Sequence, residues 1–303
     1  VNRRDFISTS LKASLALGLS STAFPVLGKS RGGLTVLYTN DWHSRIDPFP
    51  DDGGRYAGLG GAAKRAALIK RIRAEREHVL LLDSGDIFQG TPYFNKYAGE
   101  LEFKLMSEMG YDAVTLGNHD FDAGLDGLKK QLTHADFDIL SANYDFGETI
   151  LKNKFKAYKI FKKGAYRIGV FGIGIKLEGL VPKKHFGKTK YLNPVPIANE
   201  IATYLKEKKK CNVVICLSHL GYEYKSDQIS DVHLAKQSRN IDLILGGHTH
   251  TFLERPKELL NADSKVINIS QTGWAGINLG KIDYEEDTFS TSFSPRFGML
   301  KNC

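Results

Sequence analysis

Short aliphatic runs recur along the chain, and most end abruptly in one or two polar side chains. Residues 34–38, 78–82, 112–116, 139–143, 157–161, 166–173, 213–217, 242–245, 265–270 and 277–284 have the length and side chains of strands. Two of these runs, Val79-Leu80-Leu81-Leu82 and Val213-Val214-Ile215-Cys216-Leu217, lack polar alternation, which predicts central strands buried on both faces. Residues 62–77, 100–109 and 196–209 predict helices. The first carries Ala66, Ile69 and Ile72 along one side of a basic surface, and Gly110 closes the second. Lys162-Lys163-Gly164 predicts a hairpin turn between two of the strands. Helical crossovers come early and hairpins late, the pattern of an α/β fold. No internal repeat and no linker divides it.

The polar side chains after these runs are of few kinds. Asp41-Trp42-His43, Gly85-Asp86, Gly117-Asn118-His119-Asp120-Phe121-Asp122, Ser218-His219-Leu220 and Gly246-Gly247-His248-Thr249-His250 supply Asp, Asn and His, with no cysteine. Hard oxygen and imidazole ligands suit one or two divalent cations such as zinc, manganese, iron or cobalt. A site with two such ions displaces oxygen at phosphorus. A lone Asp after a strand is ordinarily a cap or turn residue, but five clusters at five strand ends argue against that bland reading. Ligands of open α/β sheets gather beyond the carboxyl ends of the strands. In an extended segment residues two apart share a side. On that reading Asp41 and His43 face one ion while Trp42 packs, and His248 and His250 do the same around Thr249.

Taken in order, Asp-x-His, Gly-Asp, Gly-Asn-His and Gly-His-x-His resemble the calcineurin-like metallophosphoesterase superfamily. Ser84-Gly85-Asp86-Ile87-Phe88-Gln89-Gly90, Leu217-Ser218-His219-Leu220-Gly221 and Gln271-Thr272-Gly273-Trp274-Ala275-Gly276 narrow the resemblance to the catalytic domain of the bacterial 5′-nucleotidase family. It runs from about residue 34 to 284. The resemblance implies a four-layer αββα sandwich with mixed sheets and the metal site at one edge. It assigns Asp41, His43, Asp86 and His250 to one divalent metal ion, and Asp86, Asn118, His219 and His248 to a second, with Asp86 shared. It makes His119 and Asp122 the catalytic pair, His119 assisting the leaving oxygen and Asp122 keeping its imidazole oriented and protonated. A hydroxide bridging the metals would attack the phosphate of a nucleotide. Asp120 stands where many relatives have Glu and is not expected to be a ligand, and Asp83 is expected to be structural.

Composition adds limits rather than chemistry. The 303 residues fit a globular protein, and the formal charge of +8 would favour phosphorylated substrates but equally nucleic acid or an anionic membrane surface. Lysines at 152–163, 183–190 and 206–210 have no interleaved aromatic residues, so polymeric nucleic acid is not an expected partner. Cys211 and Cys216, five residues apart on one expected strand, point to opposite faces and cannot pair; Cys303 lies in the tail. Residues 1–28 open with Asn2-Arg3-Arg4-Asp5-Phe6-Ile7 and continue as a weakly apolar stretch, which resembles a twin-arginine export signal ending near Ser21-Thr22-Ala23. Asn2 and Ser8 depart from its usual pattern. An exported, periplasmic or extracellular protein is therefore expected, with a catalytic domain over 29–286 and a tail over 287–303. No later segment reaches the roughly eighteen consecutive apolar residues of a membrane helix.

Relatives with 5′-nucleotidase activity carry a second domain that grips the nucleoside, and no segment of this sequence corresponds to it. The expectation is either a separate polypeptide carrying that domain or a less selective phosphoesterase, with loops 51–61 or 176–190 as the chain's own candidates for holding a base. A 2′,3′-cyclic nucleotide phosphodiesterase or a nucleotide-sugar pyrophosphatase would use the same site. A sulfur-oxidation thiohydrolase is a more remote alternative. A metal- and nucleotide-binding subunit without turnover would not need His119 and Asp122.

Overall fold

Each long apolar run becomes a strand in one of two six-stranded sheets. The computed structural model describes residues 30–285 and 288–291, so the expected export segment and Cys303 lie outside the described residues. In chain order the strands are β1 (Ser30–Thr39), β2 (Arg76–Asp83), β3 (Ala113–Thr115), β4 (Asp138–Leu140), β5 (Tyr144–Asp145), β6 (Tyr158–Lys163) and β7 (Tyr166–Ile173). They continue with β8 (Lys190–Tyr191), β9 (Val213–Ser218), β10 (Leu243–Leu245), β11 (Lys257–Leu260), β12 (Val266–Ser270), β13 (Gly280–Glu285) and β14 (Thr288–Thr291). The helices are α1 (Ala62–Glu75), α2 (Pro92–Tyr97), α3 (Glu100–Met109), α4 (Gly124–Gln131), α5 (Lys183–Phe186), α6 (Pro194–Thr203) and α7 (Asp231–Gln237).

The first sheet runs β14-β13-β1-β2-β3-β4, with β1 to β4 mutually parallel and β13 antiparallel to β1. The second runs β11-β12-β10-β9-β7-β6, with β12, β10, β9 and β7 parallel and antiparallel strands at both edges. Three apolar layers hold the sheets and helices together. Leu34, Val36 and Tyr38 of β1 meet Val170, Ile215 and Leu243 between the two sheets. Leu37, on the other face of β1, packs with Leu68, Ile69 and Ile72 of α1 and with Phe103 and Met106 of α3. Phe171, Val214 and Ile244 of the second sheet lie against Ala198 and Ala202 of α6 and Leu234 of α7. Strands buried on both faces explain the unbroken apolar runs, and each such side chain contributes about 1.5–3 kcal/mol of transfer free energy. The result is a four-layer αββα sandwich.

Several expected bounds move. The 139–143 run is a strand only to Leu140; beyond it Ser141 and Ala142 N–H donate to Lys156 O and Gly172 O, and the Asn143 side chain exchanges two hydrogen bonds with the Gly174 backbone, both at 2.8 Å. The helix expected from 196 begins at Pro194, where the Asn193 side chain accepts the Val195 N–H, and beyond Thr203 it loosens into the π-type turn Tyr204–Lys208. Cys211 precedes β9 rather than sharing it; it and Cys216 are buried free thiols. Thr288–Thr291, expected to belong to a tail, pairs with β13 as an edge strand. Helices α2, α4, α5 and α7 and strand β11 were not expected, since each has eight residues or fewer and shows little periodicity.

Candidate metal centre

Parallel register delivers the polar clusters to one level. Thr39 of β1 pairs with Asp83 of β2, and Leu217 of β9 with Leu245 of β10. Beyond these ends, Asp41 N–H donates to Gly85 O (2.9 Å), and His43 N–H to Asp86 O (3.0 Å), so the first two loops descend together. The Ser84 hydroxyl donates to Leu245 O at 2.7 Å and ties the first sheet to the second beneath the site.

The backbone here is not extended. Asp41, His43, Asp86, His248 and His250 all have left-handed φ values, between 50° and 71°. The alternation argument for Asp41–His43 and His248–His250 is thus corrected: their side chains reach a common centre from tight left-handed turns. Such conformations cost a non-glycine residue about 1–2 kcal/mol each and persist where surrounding structure over-determines them. The glycines beside these residues are required by contact. A Cβ on Gly117 would lie 2.2 Å from Asp86 Oδ1, and one on Gly247 would lie 2.8 Å from His219 Nδ1.

The structure brings Asp41, His43 and His250 into one group and Asp86, His219 and His248 into another, each with its ligand atoms within 4.8 Å of one another. Asp86 stands between the groups, its Oδ2 being 3.1 Å from His219 Nε2 and 3.9 Å from His43 Nε2. Asp41 Oδ1 is 3.3 Å from His250 Nε2 and 4.0 Å from His219 Nε2. Asn118 joins the second group through its Oδ1, 2.8 Å from His248 Nδ1. His119 and Asp122 lie at its rim, with His119 Nδ1 2.7 Å from Asp122 Oδ2. The His119 N–H donates to Asp86 Oδ1 at 2.7 Å, so the pair is tied to the central carboxylate.

The donor atoms suit cations. His219 Nδ1 lies 2.6 Å from Ser84 O and His43 Nδ1 3.1 Å from Gln89 O, contacts that place the ring protons there and leave lone pairs on both Nε2 atoms. His219 Nε2 is fully buried and makes no hydrogen bond. His43 Nε2 is 2.9 Å from His250 Nε2, two ring nitrogens facing each other. Burial opposes charge on His219, yet Asp86 and Asp41 outweigh it and push its pKa up to about 10. Burial drives the opposite shift at His248, down to about 4, and lowers that of His43. Burial also opposes ionisation of Asp86, but His219, His43 and His119 hold its carboxyl well below the usual range. The centre therefore favours anionic Asp86, neutral His248 and a positive charge at His219 itself. For His119, the hydrogen bond to Asp122 raises the pKa.

Sequence reasoning missed the contacts by which Asp120, Asn40 and Gln271 hold this shape, while Trp42 and Asp83 take the packing and structural places expected of them. Buried Asp120 accepts N–H groups from Gly117, Asp86, Ile87 and Phe88 at 2.8–3.2 Å, fastening the Gly-Asp loop to the Gly-Asn-His loop. Burial and the nearby Asp86 push its pKa up to about 7. Asn40 donates to Asp41 Oδ2 and to Gly273 O while accepting from Thr272. Gln271 donates to Gly247 O at 2.6 Å and accepts from Thr251 N–H. Trp42 is fully buried under the Arg65 guanidinium, 3.9 Å from the ring. Asp83, expected to be structural, accepts from Thr39 and from Gly85 N–H.

The model of the calcineurin-like phosphoesterases, a family of hydrolytic enzymes, matches residues 34–252, and the chain belongs to that family. A 5′-nucleotidase from the venom of Gloydius brevicauda is 37% identical over 235 residues, which are 73% of this chain and 37% of that protein. The trifunctional nucleotide phosphoesterase YfkN of Bacillus subtilis is 32% identical over 287 residues, 84% of this chain and 18% of the relative. Among solved structures, a 5′-nucleotidase precursor from Thermus thermophilus superposes with a TM-score of 0.75 at 29% identity, over 89% of this chain and 57% of that one. The chain thus spans less than half the length of the curated relatives it matches. No helix among the described residues is long and apolar enough to cross a membrane.

Proposed function

We propose that this chain is a two-metal phosphoester hydrolase acting on nucleotide 5′-phosphates. The observation that carries the proposal is the pair of Asp/His groups sharing a central Asp86, with a His–Asp pair at their rim. On this reading Asp41, His43, Asp86 and His250 hold one divalent ion, and Asp86, Asn118, His219 and His248 the other. Asn118 adds a ligand oxygen without adding charge, so two carboxylates against two divalent ions leave a positive centre for phosphate. The ions would supply a water of lowered pKa and Lewis acidity toward the phosphoryl oxygens.

The chain's own residues do the rest. His119 holds its Nδ1 proton against Asp122, which leaves Nε2 to hydrogen-bond a phosphoryl or leaving oxygen, and the same bond shifts the ring's pKa upward, toward the protonated form. The bond from His119 N–H to Asp86 keeps that ring in register with the phosphate site. The Asp120 clamp and the Asn40 and Gln271 contacts keep the ligands in strained turns with little reorganisation. Choice among nucleosides would come from segments outside the region shared with relatives, whether on the same polypeptide or on a separate one.

The decisive experiment combines metal analysis with a substrate panel of AMP, 2′,3′-cyclic AMP, UDP-glucose and a simple diester. AMP is expected to be turned over only with divalent ions present. Asp86→Asn is expected to lose both ions and activity, and two-metal occupancy in that variant would refute the shared-ligand assignment. The match to a relative named trifunctional favours a second reading, a broader nucleotide phosphoesterase; comparable rates on cyclic AMP or UDP-glucose would support it. We also propose an export segment over 1–28, a catalytic domain that starts near residue 29 and includes the edge strand Thr288–Thr291, and a periplasmic or extracellular site of action. Arg3-Arg4 supports this reading, and export that survives their replacement by Lys-Lys would count against it.

A further inference from the structure

Four aromatic side chains from three separate segments meet beside the first Asp/His group, and none belongs to the three apolar layers. Trp274 lies parallel to His250, with ring centroids 5.4 Å apart and an interplanar angle of 2°, and edge-on to His43 at 6.4 Å. Phe49 and Tyr56 contact Trp274 at 5.7 and 6.1 Å, and Tyr56 lies nearly parallel to Phe252 at 6.3 Å. Phe252 is 37% exposed, and the other three are half-buried. The Arg45 and Arg55 guanidinium groups lie over the Phe49 and Tyr56 rings, 4.3 and 5.3 Å from their centroids, and Phe252 presents the most open ring of the four. A chain that needed only to bury these rings would place them in a core. Here they form a partly open wall that starts at a histidine of the metal centre.

From this geometry we infer that Phe49, Tyr56, Phe252 and Trp274 form a stacking subsite for a planar aromatic ring carried by the leaving alcohol, such as the base of a nucleoside or the ring of an aryl alcohol. The inference rests on the phosphoester reading of the adjacent centre. A phosphate held at that centre would have its ester group beside ring faces that water solvates poorly. Stacking on aromatic side chains is tolerant of base identity, because every base has a π-face. The subsite therefore favours aromatic over aliphatic esters without choosing among bases. That is a lesser task than the nucleoside selection ascribed above to other segments.

The plain alternative is a small packing cluster that anchors the glycine-rich loop carrying Tyr56, and the tests separate the two. With metal-loaded protein, kcat/KM is measured for AMP, p-nitrophenyl phosphate and ribose 5-phosphate. Phe252→Leu, which keeps apolar bulk and removes the flat ring, is expected to lower the ratio of AMP to ribose 5-phosphate by about tenfold, as is Tyr56→Ala. Tyr56→Phe should preserve that ratio. Equal loss on both esters, or no change in the ratio, would overturn the subsite.

A second arm does not use turnover, so it survives failure of the phosphoester reading. The chain has two tryptophans, and Trp42 is fully buried, so quenching by added ligands reports on Trp274. Adenosine is expected to quench the emission and ribose is not, with a weaker effect of adenosine in Phe252→Leu. Equal responses to adenosine and ribose would refute the stacking surface even in an active enzyme. Adenosine-specific quenching in a chain inert toward every ester would instead refute the hydrolase reading and leave the subsite standing.

Discussion

His119 is where a single residue carries most of the chemistry proposed for the chain's own side chains. Its Nδ1 is 2.7 Å from Asp122 and its backbone N–H binds Asp86, so the ring is oriented from two directions. His119→Asn is expected to retain both metal ions and to lose about a hundred- to ten-thousandfold in kcat, the span of a positioned acid–base group. Single-turnover rates beside metal analysis check this; a kcat within a few-fold of wild type would reduce His119 to a packing residue. The identity of the candidate ligands was readable because Asp, Asn and His directly follow apolar runs. Their backbone state was not. Left-handed φ at Asp41, His43, Asp86, His248 and His250 leaves no mark in local composition, since the strain is sustained by partners far away in sequence. Asn40, for example, reaches Gly273 and Thr272 across more than two hundred residues.

At the scale of elements, Asp120 joins the loop after β2 to the loop after β3 by four backbone hydrogen bonds. Removing its carboxylate strands four buried N–H groups, each worth about 1–3 kcal/mol if left unpaired. Asp120→Ala is expected to lose several kcal/mol of stability on that basis and to bind metal more weakly, since Asp86 and Asn118 lie on the two loops it joins. Urea denaturation and calorimetric metal titration test both effects. Wild-type values in the variant would mean that water replaces the carboxylate at no cost. The aspartate could be seen in the sequence, but its partners could not, because a carboxylate specifies an acceptor and not which donors reach it. Long runs announced β1, β2, β7 and β9 through their burial on both faces. Helices α2, α4 and α7 escaped because six to eight residues give too few turns for a period to emerge. The aromatic wall escaped for a different reason: its members come from three loops, and only the folded chain makes them neighbours.

Across the whole molecule, acid sensitivity has identifiable sources away from the metal centre. Asp283 of β13 accepts from Thr35 of β1 at 2.6 Å and from Lys281, and lies 3.8 Å from Arg76 of β2, so it binds three adjacent strands of the first sheet. Asp138 of β4 accepts from Lys156 at 2.7 Å and from Lys159 of β6, which links the edges of the two sheets. Burial would raise both carboxyl pKa values, but the lysines, with Thr35 and Arg76 at Asp283, outweigh it, and both fall below the ordinary 3.8. A carboxyl whose pKa is depressed by folding contributes stability above its unfolded pKa. That contribution is lost as pH falls through the folded value. The contribution of this pair is therefore complete above about pH 4–5 and disappears at lower pH. Asp138→Asn combined with Asp283→Asn is expected to be less stable than the wild type near neutrality, and the gap should narrow steadily below pH 4. Urea midpoints measured from pH 2 to 7 provide the check, with metal absent throughout so that the ligand carboxylates and imidazoles affect both proteins alike. A gap that stays constant across that range would mean the two carboxylates act through packing and hydrogen-bond geometry, and that their charge contributes nothing to holding the sheets together.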